Sequence, residues 1–251
     1  MGTTRFGLTN RITTTCTVKN GSGGGAPARE EDAAYLMENV LYGDRNVIWR
    51  SAGGFGFNFD IDLGAARTLS GIGLHGVDGS AISCGFYYQT GVYTPGGTWT
   101  FLGSSSLIGV RDAGVAFASI ASIRSVRFAF TASGVMSCGK FFAGLLTDLG
   151  RVGSPGMANN EKQNRSVLQM PSGAVFITSL GSNSREITIP LGMIPEADHD
   201  TVAALADQTG SFTMVDLDDA FYDVVLLDGL LPKEYASANL RNTAIRLLGL
   251  P

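Results

Sequence analysis

The chain has 251 residues, of which 44% are hydrophobic and only 16% are charged, with a formal net charge of −4. This composition excludes a disordered chain, and the length allows one large domain or two of ordinary size. The absence of a basic stripe argues against nucleic-acid binding, and no apolar run reaches the ~18 residues of a membrane-spanning helix.

A flexible loop and a short helix are predicted before the first long strand. Residues 19–29, KNGSGGGAPAR, have the composition of a linker and lack the Gly-Lys-Ser/Thr of a phosphate loop. Residues 30–44 favour a short helix or helical turn that ends at Gly43.

The strand prediction begins where the hydrophobic period changes to two. In residues 57–63, FNFDIDL, the apolar side chains share one face, while Asn58, Asp60 and Asp62 share the other. Glycines and turn signals separate the later strands. Short strands at this spacing predict a mainly β fold, with a jelly-roll sandwich over residues 1–150. The later strands are predicted at residues 68–77, 82–89, 97–103, 125–132 and 140–150.

A second, smaller unit is predicted after a polar connection. Residues 151–164, RVGSPGMANNEKQN, have the Gly, Pro and Asn content of a linker. Pro195 and the acidic residues after it are typical of a first helical turn, so a helix is predicted near 195–209. Residues 165–251 are therefore predicted to form a β-rich assembly domain with one helix. Its strands are predicted at 165–170, 174–180, 185–191, 211–217, 220–230 and 238–250.

Residues 46–76, NVIWRSAGGFGFNFDIDLGAARTLSGIGLHG, resemble the front half of the galactose-binding-like jelly-roll domains of bacteriophage tail proteins. The matching residues are Trp49–Ser51, Asp62–Gly64 and Leu69–His75. Residues 184–230 are similar to the strand–strand–helix–strand–strand unit of tail-ring domains. The resemblance implies a structural protein of the tail or the distal baseplate.

The same resemblance carries expectations about partners and location. It implies a ring-shaped homo-oligomer, with a hexamer favoured, in contact with other phage tail proteins. The protein would be made in the host cytoplasm and located in the virion. The low charge of the chain fits this role, because interface cores are depleted of charged residues.

The alternative function is a carbohydrate-binding module for attachment to the host surface. Its best candidate surface is the aromatic run at residues 85–101, where Tyr87, Tyr93 and Trp99 are predicted to contact a sugar or a neighbouring subunit. Tyr87 and Tyr88 are adjacent in a strand and face opposite sides, so at least one of them is predicted to lie in the core.

Three residues of the WRS and DLG motifs are predicted to have structural roles. Trp49 is a large apolar side chain suited to plugging one end of a sandwich. Gly64 suits a turn with positive φ, and the Asp62 carboxylate is placed to cap that turn.

No residue pattern of a catalytic, metal or cofactor site is present, so no enzymatic activity and no cofactor are predicted. Asp60 and Asp62 share a strand face that could hold a cation or flank a glycosidic bond, but a solvated polar face is the favoured interpretation. His75 is assigned to a strand end and His199 to a solvated helix start. The acidic turn at 216–219 is also predicted to be solvated, with calcium binding as the open alternative.

The three cysteines, Cys16, Cys84 and Cys138, have no CxxC spacing, and their odd number excludes complete pairing within one chain. They are predicted to be reduced and mostly buried thiols. A pair between Cys84 and Cys138 stays open from the sequence.

Overall fold

Short antiparallel strands make up most of the described structure. The computed structural model describes residues 4–20, 36–44, 47–51, 56–94, 96–148, 158–162, 165–169, 175–179, 184–195, 205, 210–216, 218–227, 234–237 and 240–250. The predicted mainly β fold class is confirmed. Among the described residues, no helix is long and apolar enough to cross a membrane.

The strands are numbered in chain order. In the first part of the chain they are β1 (Arg5–Gly7), β2 (Thr17–Asn20), β3 (Trp49–Arg50), β4 (Phe57–His75), β5 (Asp78–Thr90), β6 (Thr100–Ser106), β7 (Ala113–Cys138), β8 (Lys140–Gly144) and β9 (Thr147–Asp148). In the second part they are β10 (Ala158–Lys162), β11 (Arg165–Gln169), β12 (Val175–Ser179), β13 (Ser184–Pro195), β14 (Phe212–Val215), β15 (Phe221–Leu226), β16 (Glu234–Ser237) and β17 (Leu240–Gly249).

The helical turn predicted within residues 30–44 is a 3-10 helix, Met37–Tyr42. It ends at Gly43, whose φ of 69° is the left-handed conformation that commonly terminates a helix. The part of the prediction before Leu36 lies outside the described residues.

The first sheet has the strand order β2–β4–β7–β5–β6, with β3 paired to β7 and β8 paired to β4, all antiparallel. The sequence predicted separate strands before and after Gly64. In the structure they form the single strand β4, which continues through a register shift between Asp62 and Arg67. Such irregularities increase local twist and bend a sheet. They allow β4 and β7 to curve around one apolar core.

The inner face of this sheet is aromatic. Phe59 is in register with Phe128, and Phe128 is in register with Phe86, and none of the three has any exposed surface. The Phe128 ring stacks on Phe141 of β8, with ring centroids 4.2 Å apart. The alternation of residues 57–63 therefore directs their apolar side chains into the core, as predicted.

The second sheet has the order β10–β13–β17–β15–β14–β1–β9, with β16 paired to β17. Its core cluster includes Phe6, Met214 and Leu247. The predicted boundary at residue 150 does not separate the two sheets, because β1 and β9 come from the first part of the chain and pair with each other in this sheet. Strands β11 and β12 pair with each other in a separate hairpin.

Two expectations for the second unit differ from the structure. The predicted linker contains β10, whose residues Ala158–Lys162 pair with β13 at one edge of the sheet. An edge strand can be polar on both faces, so the polar composition of this segment did not distinguish the strand from a linker. Pro195 is the last residue of β13 rather than the start of a helix. Leu205 has helical backbone and is buried in the second core, while the rest of the predicted helix lies outside the described residues.

The two sheets approach each other closely at a point where the first sheet has glycines. Phe221 of β15 lies against Gly73 of β4 and Gly114 of β7. A Cβ atom added to Gly73 or Gly114 would lie 2.8 or 2.6 Å from the Phe221 ring, so both positions require glycine for this approach.

Candidate ligand surface on the first sheet

One row of side chains crosses the outer face of the first sheet. The pairing register aligns Lys19 on β2, Asp60 on β4, Arg127 on β7, Tyr87 on β5 and Phe101 on β6. Residues that are directly opposite in neighbouring strands project to the same side of a sheet. The row therefore places one ammonium, one carboxylate, one guanidinium and two aromatic rings side by side, opposite the apolar core.

Asp60 is the second residue of this row, next to Arg127, and is fully buried. Arg127 binds it through two parallel hydrogen bonds, from Nε to Oδ1 at 2.6 Å and from Nη2 to Oδ2 at 2.7 Å. The prediction of a solvated Asp60 is therefore wrong, although its strand face is the predicted one. A bidentate, charge-assisted pair of this kind fixes both side chains in position.

Two aromatic residues after β5 lie over this ion pair. Tyr93 donates a hydrogen bond from its hydroxyl to Asp60 Oδ2 at 3.1 Å. The Arg127 guanidinium lies 4.2 Å from the centre of the Trp99 ring, within the range of a cation–π contact. The Tyr93 and Trp99 rings are 6.4 Å apart and meet edge to face.

The contact with Asp60 affects the ionisation of Tyr93. Burial, followed by the nearby Asp60 charge and the hydrogen bond to it, raises the pKa of Tyr93 from 10.0 to about 12. Tyr93 therefore stays a neutral hydrogen-bond donor over the physiological pH range.

The segment that carries these rings is tied to the sheet by Gln89. The Thr94 backbone N–H donates to Gln89 Oε1 at 3.2 Å, and Gln89 Nε2 donates to the Thr94 carbonyl at 3.5 Å. The Gly97 backbone N–H also donates to the Thr94 carbonyl, at 2.9 Å. The loop between β5 and β6 is therefore folded back over the outer face rather than extended into solvent.

The other two rings lie on the strands themselves. Tyr87 packs against Phe101, with ring centroids 5.1 Å apart, and Phe101 is 57% exposed. Tyr88 packs against the core on the opposite side of β5, as the alternation of adjacent residues requires. We call the four outer rings the aromatic face: they are Tyr87, Tyr93, Trp99 and Phe101.

Three rings of the aromatic face, Tyr87, Tyr93 and Trp99, were predicted from the sequence, but the residues that hold them were not. Arg127 interrupts the apolar run of β7 at an outward position, and such a charge in a strand needs a partner. Asp60 and Asp62 are the acidic residues at outward positions of β4. The periodicity contained this signal, but only the strand register shows which charges meet.

The WRS and DLG motifs have structural positions. Trp49 is 1% exposed and packs against Phe57 and Phe59, with ring centroids 5.2 and 4.6 Å away. Gly64 has a φ of 74°, and its N–H donates to Asp62 Oδ1 at 2.9 Å. Asp62 Oδ1 also accepts a 2.8 Å hydrogen bond from Arg124, so this carboxylate caps a turn and forms an ion pair.

A second polar cluster lies buried where the sheets meet. Lys140 donates to Asp223 Oδ1 at 2.9 Å, with side-chain exposures of 4% and 0%. His75, in register with Lys140, is also fully buried, and its Nε2 lies 2.9 Å from Thr213 Oγ1. Its Nδ1 lies 3.5 Å from Asp112 Oδ1. His75 therefore joins the two sheets through polar contacts.

The acidic turn at 216–219 is organised by one of its own carboxylates. Asp216 Oδ1 accepts hydrogen bonds from the backbone N–H groups of Asp218 and Ala220, each at 2.9 Å. Its Oδ2 accepts one from the Tyr222 hydroxyl at 3.0 Å. Asp216 is thus buried, whereas Asp218 and Asp219 are exposed, so the predicted solvation of this turn is wrong for Asp216 alone. His199 lies outside the described residues.

The structure shows whether Cys84 and Cys138 are paired, which their spacing left open. Cys16, Cys84 and Cys138 are all free and buried, so Cys84 and Cys138 do not form a disulfide. Burial, followed by the proximity of Cys138, raises the pKa of the Cys84 thiol well above its ordinary value. Within the described part of the chain, no three His, Cys, Asp or Glu side chains are grouped to bind a metal ion.

A small cavity of about 170 Å³ lies away from the aromatic face. The turn before β5 and the turn between β6 and β7 enclose it. Its polar side chains are those of Asp78 and Arg111, and both residues are exposed.

No protein-family model and no curated protein matches the sequence. Among solved structures, the chain is similar to chitosan-binding module 1 of a chitosanase/glucanase from Paenibacillus sp. IK-5, with 18% identity and a TM-score of 0.44, over 54% of this chain and 98% of that chain. Module 2 from the same source, in complex with chitotriose, has 15% identity and a TM-score of 0.43, over 54% and 99%. A GH29 fucosidase of Ruminococcus gnavus in complex with fucose has 16% identity and a TM-score of 0.44, over 55% and 27%. Identities and TM-scores this low do not indicate a function, so the function has to be inferred from the residues of this chain.

Proposed function

We propose that this protein binds carbohydrate on the aromatic face, without a catalytic step. The observation that carries the proposal is the pair of side chains beneath the rings: the buried Asp60 carboxylate holds Arg127 and Tyr93, and Arg127 lies against Trp99. Rings that are fixed before a ligand arrives lose little conformational freedom on binding. Aromatic side chains provide an apolar surface on which the C–H face of a sugar ring can stack.

The positions of the rings support a ligand role over a purely structural one. Tyr87, Tyr93, Trp99 and Phe101 lie opposite the core and retain exposed surface, whereas the rings of Phe59 and Phe128 have none. Asp60 and Asp62 are both engaged in ion pairs with arginines, which leaves neither as a free acid for glycoside cleavage.

A glycan array with the full chain, followed by calorimetry on the best ligand, tests this proposal. Trp99→Ala is expected to weaken binding about tenfold or more, because truncating a central aromatic contact typically costs more than 1 kcal/mol. Arg111→Ala, in the separate cavity, is the matched control and should keep wild-type affinity. The proposal is contradicted if Arg111→Ala abolishes binding while Trp99→Ala leaves it unchanged.

A second candidate function is a structural subunit of a bacteriophage tail or baseplate, located in the virion. The observation that favours it is the exposure of large apolar side chains near β6: Val92 is 82% exposed and Ile108 is 70% exposed. Exposed apolar patches mark protein–protein contacts as well as ligand sites. On this alternative, the exposed apolar side chains beside β6 contact a neighbouring copy or another tail protein.

Sedimentation and negative-stain microscopy test the structural candidate. A ring is expected at micromolar concentrations, and Ile108→Glu should dissociate it by placing a charge in the interface. Thr14→Glu, at an exposed polar position between β1 and β2, is the control that should leave the ring intact. A monomer at every concentration would exclude a self-assembling ring.

A further inference from the structure

We infer that the ligand of the aromatic face is an uncharged glycan, and this inference rests on the proposed function. The charged groups beside the rings are already paired with each other. The ligand is therefore selected by ring stacking and neutral hydrogen bonds rather than by an ion pair.

The nearest cation is not available to an acidic sugar. Arg127 directs the two N–H groups of its fork at Asp60, at 2.6 and 2.7 Å. Trp99 covers the flat face of its guanidinium, and the Arg127 side chain is only 11% exposed. Asp60 occupies the Nε–Nη2 edge, so a uronate or sialate carboxylate would have to reach the remaining N–H groups of a guanidinium that is almost buried beside Trp99.

The nearest anion is not available to a cationic sugar. Asp60 has no exposed surface, and both of its oxygens accept hydrogen bonds, from Arg127 and from Tyr93. An amino sugar with a free ammonium would lose its hydration at the rings without reaching this carboxylate.

The segment that carries the aromatic face is free of charge over its whole length. Residues 79–110 contain no Asp, Glu, Lys, Arg or His. This segment includes all but the first residue of β5, the turn after it, β6, and the first four residues of the turn after β6. The four rings are therefore surrounded in sequence only by neutral side chains.

One further charged pair lies beside the rings, close enough to Tyr93 for the Asp62 charge to contribute to the raised pKa of that tyrosine. Asp62 and Arg124 form an ion pair with an Nε–Oδ1 distance of 2.8 Å. Lys19 is exposed on β2, at the opposite edge of the sheet from β6. A solvated ammonium at that distance is screened by salt and contributes little to binding at the rings.

Pairs of glycans of equal length, in which a neutral substituent is replaced by a charged one, test the inference. The probes are an N-acetylglucosamine oligomer against the glucosamine oligomer of equal length, and a galactose oligomer against the galacturonic acid oligomer. We expect the neutral member of a pair to bind at least about tenfold more tightly. We also expect its affinity to stay unchanged as salt is raised, because no ion pair with the ligand forms.

Asp60→Asn is the informative variant, because it leaves the charge of Arg127 without its partner. It is expected to gain salt-sensitive affinity for the galacturonic acid oligomer. The double variant Asp60→Asn, Arg127→Gln removes both charges and should not show this gain. If either variant fails to fold, the comparison of neutral and charged probes on the wild-type protein still decides the question.

The outcomes separate this inference from the proposed function. Tighter binding of a charged member, lost at high salt, would overturn the inference while leaving carbohydrate binding intact. Absence of binding to every glycan on the array would contradict the proposed function itself. Neutral-selective binding that Trp99→Ala removes would support both.

Discussion

Replacing Asp60 with Ala is expected to destabilise the folded protein by about 3–5 kcal/mol, because breaking a buried ion pair leaves an uncompensated charge. The partner left behind is Arg127, whose side chain is 11% exposed and which donates two hydrogen bonds to Asp60. Urea denaturation monitored by circular dichroism measures the change in the free energy of unfolding.

Asp62→Ala provides the matched control. Its ion pair with Arg124 is more exposed, with side-chain exposures of 20% and 29%, so the pair itself should contribute about 1 kcal/mol or less. Similar losses for Asp60→Ala and Asp62→Ala would show that the buried pair has no special weight in stability.

The ionisation of Tyr93 gives the Asp60 variant a second, local measurement. Burial and Asp60 together raise the pKa of Tyr93 to about 12, so removing Asp60 should move it back toward 10.0. Because the pKa in the folded protein is the higher one, the stability gained from neutral Tyr93 is present below pH 10.0 and is lost as the pH rises through about 12. Ultraviolet titration of tyrosinate, with Tyr93→Phe to identify the signal, measures both pKa values.

Replacing Trp49 with Ala is expected to cost about 3–5 kcal/mol of stability, enough to unfold a domain of ordinary stability. Trp49 is 1% exposed and packs within 6.3 Å, between ring centroids, of Phe57, Phe59 and Phe130. Its removal leaves a cavity among rigid rings that cannot close around it.

The other tryptophan of the chain is the comparison for this prediction. Trp99→Ala removes a partly exposed ring from the outer face and should change stability by only about 1 kcal/mol. Thermal melting and glycan binding, measured on both variants, distinguish the two roles. A Trp49→Ala protein that melts like the wild type but loses its ligand would place Trp49 in recognition instead of folding.

Local patterns in the sequence predicted much of the first sheet. Alternation with a period of two assigned Phe59 to the core and Asp60 to the other face, and both assignments agree with the structure. Alternation gives the side of a strand but not what covers it. The burial of Asp60 depends on Arg127 and Tyr93, which lie 67 and 33 residues away in the chain.

The strand order of the second sheet was harder to predict from the sequence, for a similar reason. The three residues of β1 and the two of β9 are too short to show a period, and the pairing partners of β1 are β9 and the distant β14. Strand β10 has the sequence ANNEK, which lacks the apolar alternation of a buried strand. Long-range backbone pairing decides which strands form one sheet, and the composition of a strand does not show which strands it pairs with.

The ion pair between Lys140 and Asp223 limits how this protein can evolve by recombination. The ammonium belongs to β8 of the first sheet and its carboxylate to β15 of the second. A genetic exchange that replaced only the second half of the chain would deliver a buried lysine without its counter-charge, at a position where the Ser211 hydroxyl and carbonyl also accept from it. The two halves are therefore expected to be inherited together, with changes in one compensated by changes in the other.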